Sequence, residues 1–181
     1  MVANRSSSGV SPKLVSSSFD YRERRPYGWG SALAILCGGL YACDSHPNGV
    51  ALFQAGEFAA AHQPLELAAT AGDLNAQNLL GIQYYLGLGV PRNLQAAREW
   101  FQKAARRRHP SAQKNLGLLY LRGFGVTQDY HQAYGWLHAA FAQGEASAAD
   151  YLNLMTDNLT PSQMHEAQLR INAEIARESD H

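Results

Sequence analysis

Apolar side chains in the middle of this chain follow the period of amphipathic helices. Leu80, Gly81 and Tyr84 stand three, four and seven residues after Gln77, so all four lie on one face of a helix. Gly81 lacks a side chain on that face, which lets another helix approach closely. Gly87 then fits the left-handed position that ends a helix. This stretch therefore predicts one helix followed by a tight turn.

The next stretch predicts a second helix. Asn93 is a good N-cap residue, and Ala97, Trp100 and Ala104 follow it on one helical face. The two alanines admit a neighbouring helix, while the tryptophan fills the remaining space. Because neither helix can bury its apolar face alone, the pair requires stacking against its neighbours.

The helix pair recurs, because the chain matches itself when it is shifted by 36 residues. The first copy covers residues 76–111, the second 112–147 and a degenerate third 148–179, which includes a capping helix. Residues 56–75 form a half-repeat before them. A period of about 20–50 residues indicates units stacked in a solenoid. The recurring structural residues are Gly81 and Gly117, Tyr84 and Tyr120, Gly87 and Gly123, Gly89 and Gly125, and Trp100 and Trp136.

The two ends of the repeat array depart from the pattern. Pro64 occupies the position of Trp100, so the helix of the half-repeat is expected to be kinked or to start late. Thr160 and Gln163 predict a capping box at the start of the last helix. Its inward side chains are expected to be Met164, Ala167, Ile171 and Ile175.

The two full copies resemble the Sel-one-like repeat (SLR) family, a relative of tetratricopeptide repeats. Residues 112–136 meet the pattern AQ-x-x-LG-x-x-Y-x-x-G-x-GV-x-x-D-x-x-x-A-x-x-W in full, and in residues 76–100 only Asn93 departs from it. The resemblance covers about residues 56–175. It implies an all-α fold, a short right-handed α/α solenoid of helix-turn-helix repeats, acting as an adaptor or scaffold. Bacterial relatives are often exported.

Composition narrows the function. The formal net charge is zero, which excludes a generally basic nucleic-acid binder. Two cysteines are too few for a disulfide framework or a four-cysteine zinc site. The charge is nevertheless segregated, because residues 92–122 carry eight Lys or Arg against Glu99, a net +7, whereas residues 123–181 carry two against eight acids, a net −6. Such a local field steers charged partners.

The N-terminal part of the sequence predicts an export signal. Residues 1–26 are Ser-rich without an apolar period and are expected to be a disordered leader. Residues 27–43 then have the features of a signal peptide, an apolar segment followed by a candidate cleavage site. They end in a Leu-Tyr-Ala-Cys sequence that resembles the lipobox of bacterial lipoproteins. Cys43 would receive the lipid, and residues 44–55 would be a polar tether. The alternatives are a buried apolar helix with two ordinary thiols, and cleavage after Ala42 without lipid.

A second apolar face on the first helix of each copy predicts a partner-binding surface. Matching positions line the concave groove in tetratricopeptide relatives, which favours a peptide or helix of a protein partner. The alternative is that this face packs on neighbouring helices. The residues are Asn78, Ile82, Tyr85 and Leu86 in the first copy, and Lys114, Leu118, Leu121 and Arg122 in the second.

A basic cluster closes the second helix of the first copy, at Arg106, Arg107, Arg108 and His109. It is interpreted either as cations at a helix C-terminus or as a contact patch for an acidic partner. Because Arg108 replaces the glycine of the neighbouring copies, this turn is expected to differ from theirs.

Catalytic motifs are not recognised. The chain shows no nucleophile elbow, P-loop, HExxH or dinucleotide fingerprint, and His131 and His138 are spaced too widely on a helix to share one metal. We therefore expect no catalytic residue, cofactor or metal. The sequence predicts a non-catalytic protein-binding scaffold at the bacterial cell envelope, lipid-anchored in the periplasm. The alternatives are cell-wall or exopolysaccharide binding, less favourably β-lactam hydrolysis, and a secreted or cytoplasmic location.

Overall fold

The computed structural model of the chain describes residues 48–179, which form eight α-helices and one 3-10 turn. The predicted leader and the predicted signal and lipobox region, with Cys43, lie outside these residues. The helices are α1 (Gly49–Gln54), α2 (Phe58–Thr70), α3 (Leu74–Leu86), α4 (Leu94–Arg106), α5 (Pro110–Arg122), α6 (Tyr130–Ala142), α7 (Ala149–Met155) and α8 (Pro161–Ser179), and the turn is Ala146–Ala148. The described part is a short α/α solenoid, as predicted.

Each full repeat is a pair of packed helices, α3 with α4 and α5 with α6. The first helix ends at a glycine in the left-handed region, Gly87 at φ 73° and Gly123 at φ 68°, where a residue with a side chain would be strained. The second helix starts at the predicted caps. Asn93 Oδ1 accepts from Ala96 N at 3.1 Å, and Asp129 Oδ1 accepts from two amides at 2.9 and 3.0 Å. These local predictions are confirmed.

The helices within each pair approach closely at a glycine. A side-chain carbon at Gly81 would lie 2.5 Å from the Phe101 ring, and one at Gly117 would lie 2.8 Å from Leu137 Cγ. Both distances are well inside the separation of carbon atoms in contact, about 3.5–4.0 Å. The role predicted for these glycines is therefore confirmed.

Hydrogen bonds between successive helix pairs recur with the sequence period. Gln77 Nε2 donates to Ala69 O at 2.9 Å, and Gln113 Nε2 donates to Ala105 O at 3.0 Å. The donors and the acceptors are each 36 residues apart, so the same bond joins two successive interfaces. Each glutamine lies on a first helix and bonds to the second helix of the preceding unit.

The two tryptophans are not equivalent, although they share a repeat position. Trp136 is 1 % exposed in a cluster to which α8 contributes Ile171 and Ile175. Trp100 is only partly buried at the margin of the N-terminal cluster, and Lys103 Nζ lies 4.1 Å from its ring centroid. The prediction that both rings fill the same enclosed gap is wrong for Trp100, because the helices packed around the two positions differ.

The predicted tether, residues 44–55, contains helix α1. Asn48 Oδ1 accepts from the second amide of that helix at 3.0 Å. Phe53 is buried and meets Phe58 edge-on, with 5.0 Å between ring centroids. The tether prediction is therefore wrong for residues 49–54, because their apolar side chains pack on α2 and α3.

Helix α2 continues through Pro64. It begins at Phe58, directly after Glu57, so the expectation of a late start is wrong. Proline has no amide hydrogen for the carbonyl four residues earlier, yet the neighbouring Leu65 is fully buried. Core packing on both sides of Pro64 therefore keeps the helix continuous.

Helix α8 closes the array by packing along α6 and reaching α4. The predicted capping box is confirmed, because Thr160 N donates to Gln163 Oε1 at 2.9 Å and Gln163 N donates to Thr160 Oγ1 at 3.3 Å. Met164 is only partly buried. The other three predicted inward residues, Ala167, Ile171 and Ile175, are buried.

The crossing of α6 and α8 depends on Gly135. A side-chain carbon there would overlap Ile171 Cγ1 and lie 2.7 Å from Ala167 O. The repeat pattern does not predict this glycine, since the corresponding residue of the first repeat is Glu99. It is a contact of one repeat with the cap and not part of the repeat pattern.

The turn that leaves the second helix is left-handed in all three units. Its φ is 96° at Gly72, 63° at Arg108 and 91° at Gly144. The expectation that the Arg108 turn would differ is therefore wrong for the backbone. Arg108 instead adopts a conformation that costs a residue with a side chain about 1–2 kcal/mol.

Candidate partner-binding surface

The predicted partner-binding residues of α3 lie partly in the interface with the following repeat. Asn78 is buried, and its Oδ1 accepts from Asn115 Nδ2 at 3.0 Å. Ile82 and Tyr85 are half-buried against the central core cluster. Leu86 is 37 % exposed. Much of this face is therefore used for packing between repeats, the alternative that the sequence left open.

The predicted residues of α5 divide in the same way. Leu118 is 4 % exposed in a cluster with side chains of α6 and α7, so the prediction that it forms the floor of an open groove is wrong. Leu121 is half-buried against that cluster. Lys114 Nζ donates to Glu145 Oε1 at 3.3 Å. Arg122 is exposed.

The accessible part of the predicted partner-binding surface lies where α3 and α5 end. Tyr85 and Phe124 are in ring contact, with centroids 6.2 Å apart and planes inclined by 38°. The Arg92 guanidinium carbon lies 5.9 Å from the Tyr85 ring centroid, and its Nε donates to Tyr85 O at 3.0 Å. We call Tyr85, Leu86, Arg92, Arg122 and Phe124 the Tyr85 surface. It combines two aromatic rings with two guanidinium groups.

Sequence reasoning missed Phe124 and Arg92. Phe124 follows the left-handed Gly123, at a position where an apolar residue commonly packs back on the helix, so a signal for it existed. Arg92 lies in a turn without periodicity. In the second repeat Gln128 Nε2 makes the equivalent bond, to Leu121 O at 2.7 Å. The bond that holds the turn thus recurs, whereas the charge belongs to the first repeat alone.

One Ser-x-x-Lys spacing, which serine enzymes acting on β-lactams use, also went unrecognised, at Ser111 and Lys114. Ser111 Oγ donates to Glu145 Oε2 at 3.0 Å, and Lys114 Nζ donates to Ser147 Oγ at 2.9 Å and to Glu145 Oε1. The serine and the ammonium therefore both donate to the same carboxylate. These contacts join α5 to the turn that follows α6.

The Glu145 carboxylate at the centre of this cluster is ionised more readily than usual. Burial alone would raise its pKa, but hydrogen bonds from Ser147, Ser111 and Lys114, together with the lysine charge, lower the pKa overall. The cluster thus fixes a negative charge between two repeats. This is a structural use of the Ser-x-x-Lys residues.

Metal-binding groups are not brought together in the part of the chain that the structure describes. Within residues 48–179 no three His, Cys, Asp or Glu side chains could hold an ion. His131 Nδ1 lies 3.8 Å from Asp129 Oδ1, while His138 stacks on Tyr134 with centroids 6.0 Å apart. Burial lowers the pKa of His138. The two histidines therefore serve separate local contacts.

The basic cluster at the end of α4 is largely occupied by contacts within the fold. Arg106 Nε donates to Glu174 Oε1 at 2.9 Å, which ties α4 to α8. Arg107 Nη1 donates to Gly72 O at 2.6 Å. Arg108 is exposed at its left-handed turn. These contacts favour the structural interpretation of the cluster over a contact patch.

His109 caps helix α5 in its neutral form. Its Nδ1 accepts from Ala112 N at 3.2 Å and its Nε2 lies 3.0 Å from Asn75 Oδ1, so Nε2 carries the proton. Burial lowers the pKa of His109 below the usual 6.5, while Asp73 and Glu145 act in the opposite direction. Protonation of Nδ1 would remove the cap and place a cation at a helix N-terminus.

This cap predicts a loss of stability in acid. The unfolded chain binds the proton near pH 6.5, before the folded chain does. The contribution of His109 is therefore complete above that pH and is lost as the pH falls toward the folded pKa. His109→Asn keeps a good cap without titrating there. Thermal melting from about pH 7 to pH 5 should show a smaller loss for this variant than for the wild type, and equal losses would contradict the prediction.

Comparison with known protein families identifies the helix pairs. The family model described as Sel1 repeat matches residues 74–109 and 110–145. Each match contains one first helix, its turn and one second helix, and begins two residues before the copy defined from the sequence. None of the curated proteins compared with the chain matches it.

Two solved structures share the fold. One is the crystal structure of a protective antigen present in uropathogenic Escherichia coli strains displaying an SLR fold, with 31 % identity and a TM-score of 0.66, covering 71 % of this chain and 28 % of that one. The other is a Sel1 repeat protein from Oxalobacter formigenes, with 34 % identity and a TM-score of 0.57, covering 60 % of this chain and 44 % of that one. The chain thus spans less than half the length of either.

Proposed function

We propose that this chain, which belongs to the Sel1 repeat family through residues 74–145, is a non-catalytic scaffold that binds another protein at the Tyr85 surface. Repeat arrays of this kind typically serve as interaction scaffolds. The main support for the proposal is the ring contact between Tyr85 and Phe124, with Arg92 over the Tyr85 ring. Tyrosine and arginine are the side chains most enriched among residues that dominate binding energy.

The charge of the Tyr85 surface favours an acidic partner. Arg122 is exposed, and Arg92 is held over an aromatic ring. Lys114, in the first part of α5, is paired with Glu145 and does not add free charge there. A partner segment with an apolar side chain against Leu86 and a carboxylate near Arg122 would match the surface.

Photo-crosslinking in cells tests this proposal. A photoreactive residue at Leu86, which is 37 % exposed, should crosslink one protein in cells that express the full chain. One at Leu67, which is 63 % exposed on α2, should not. Arg122→Glu should reduce the Leu86 crosslink about tenfold, as expected for a charge-assisted contact of 1.4 kcal/mol.

The charge reversal has a matched control. Arg170 is also exposed, on α8, and Arg170→Glu should leave the crosslink unchanged. Circular dichroism of both variants should show the helical content and melting of the wild type. Equal crosslinks at Leu86 and Leu67, or no effect of Arg122→Glu on a folded chain, would contradict the proposal.

We also propose that the scaffold is held at the cell envelope through Cys43. The support is the lipobox-like sequence before Cys43 and the signal-peptide grammar of residues 27–43. Among residues 48–179 no helix is long and apolar enough to span a bilayer. Labelled fatty acid should enter the wild-type chain in bacterial cells and not Cys43→Ala. An unlabelled wild-type chain would overturn the anchor but not the Tyr85 surface.

A further inference from the structure

A pocket of about 490 Å³ lies between α4, α6 and the turn that joins α5 to α6. It is a wide depression open to solvent, with a volume in the range of small-molecule sites, about 300–1,000 Å³. None of its polar side chains belongs to the Tyr85 surface. The side chains that matter for its chemistry are Gln95, Arg98, Tyr120, Thr127, Asp129 and Gln132.

Comparison of each repeat with the unit before it shows that the fold does not require three of these polar side chains. At the equivalent positions of the preceding unit, 36 residues earlier, the glutamines are replaced by alanine and the arginine by histidine. Helix α2, which carries two of these replacements, and helix α4, which carries the third, both form without the polar side chains. The corresponding pairs are Gln95 and Ala59, Arg98 and His62, and Gln132 and Ala96.

Arg98 is held in a way that stability alone does not explain. It lines the pocket together with Tyr120, where burial raises the pKa of the phenol and the Arg98 charge acts in the opposite direction. Its Nε is buried and has no hydrogen-bond partner among residues 48–179. A buried donor without an acceptor destabilises the folded state, and the equivalent residue of the half-repeat is His62. An acceptor supplied by a bound molecule is one way to satisfy such a group.

The charges around the pocket do not favour an ion. Arg98 is the one cation among the lining residues, and Asp129 is the one anion. Asp129 Oδ1 already accepts from two amides of α6. Glu174, whose charge also reaches Tyr120, is paired with Arg106. The lining has no net charge, which disfavours both carboxylates and ammonium groups as ligands.

The remaining polar groups both donate and accept. The Gln132 amide and the Thr127 hydroxyl have no side-chain partner among the described residues, and each offers a donor and an acceptor. Gln95 Nε2 donates to Glu99 Oε1 at 3.1 Å, which leaves its own oxygen as an acceptor. A ligand rich in hydroxyl groups matches this set, because every hydroxyl also donates and accepts.

We propose that this pocket binds a neutral saccharide unit. The Gln132 amide, the Thr127 hydroxyl and the Gln95 oxygen bond to sugar hydroxyls, and Arg98 donates to a ring or hydroxyl oxygen. The Tyr120 ring and Val126 supply the apolar surface for the C–H face of the sugar. The site is separate from the Tyr85 surface, so its failure leaves the proposed protein scaffold intact.

NMR titration of the full chain tests the pocket. The probes are cellotetraose, maltotetraose and chitotetraose as neutral oligosaccharides, and a tetragalacturonate as the acidic one. At least one neutral probe should shift the backbone amides of residues 95–98 and 125–132, with a dissociation constant of about 1 mM or tighter. The tetragalacturonate should bind more weakly than that probe.

The residues of the preceding unit suggest a variant of the pocket, and two exposed glutamines elsewhere provide a matched control. Gln95→Ala with Gln132→Ala installs the residues found in the preceding unit, so the helices should form normally while binding weakens about tenfold or more. Gln54→Ala with Gln63→Ala, at exposed positions of α1 and α2, should bind as the wild type. Three outcomes would overturn the proposal: no shift at the pocket with any neutral probe, full binding by the pocket variant, or binding of the tetragalacturonate alone.

Discussion

Replacement of Trp136 by alanine is expected to lower the free energy of unfolding by about 3–5 kcal/mol. The ring is 1 % exposed and lies in the cluster that joins α4, α5, α6 and α8. Its removal leaves a cavity that side chains from four helices would have to fill. Trp100→Ala is the matched control, since that ring occupies the same repeat position but is only partly buried.

Chemical denaturation of the two variants measures this difference. Trp100→Ala should cost less than about 2 kcal/mol, because a half-exposed ring loses less buried surface. Both variants should keep the slope of the denaturation curve, so that the midpoints can be compared. Equal costs would mean that the helices around Trp136 do not enclose it more than those around Trp100.

Replacement of Gly135 by valine is expected to separate α8 from α6. The first carbon of the new side chain would overlap Ile171 and crowd Ala167 O at 2.7 Å. Overpacking commonly costs about 1–3 kcal/mol, and the backbone contact with Ala167 leaves little room for relief. A loss of about 3 kcal/mol is therefore expected. Amide hydrogen exchange should show that α8 loses more protection than α3.

Ala142 provides the control for this substitution. It lies on the same helix at an exposed position, so Ala142→Val should change stability by less than about 0.5 kcal/mol. If Gly135→Val exchanges hydrogen as slowly along α8 as the wild type, the close approach of the two helices is not required.

The features that sequence predicted well depend on local chemistry. Gly87 and Gly123 end helices because their left-handed backbone follows from a few neighbouring residues. The capping box of Thr160 and Gln163 spans one helical turn. The 36-residue period then makes each local signal appear twice. Such information is contained within short segments, so it can be recognised without knowing what packs against them.

The features that sequence predicted poorly depend on which element lies next to a residue. Leu118 and Leu86 both belong to a second apolar face, but Leu118 is buried in a cluster with side chains of α6 and α7, whereas Leu86 is exposed. Trp100 and Trp136 share a repeat position and differ because of α8. The sequence predicts a tether in place of helix α1 because its few apolar residues are buried only by contact with α2 and α3. Periodicity identifies an apolar face but not its neighbour.

The recurring glutamine bond has a consequence for how such proteins lengthen. Gln77 bonds to Ala69 and Gln113 to Ala105 at nearly the same distance, so the first full unit presents an amide on one side and a carbonyl on the other. A duplicated 36-residue segment inserted between residues 111 and 112 would find both groups in place. Growth by tandem duplication therefore requires no new interface to evolve.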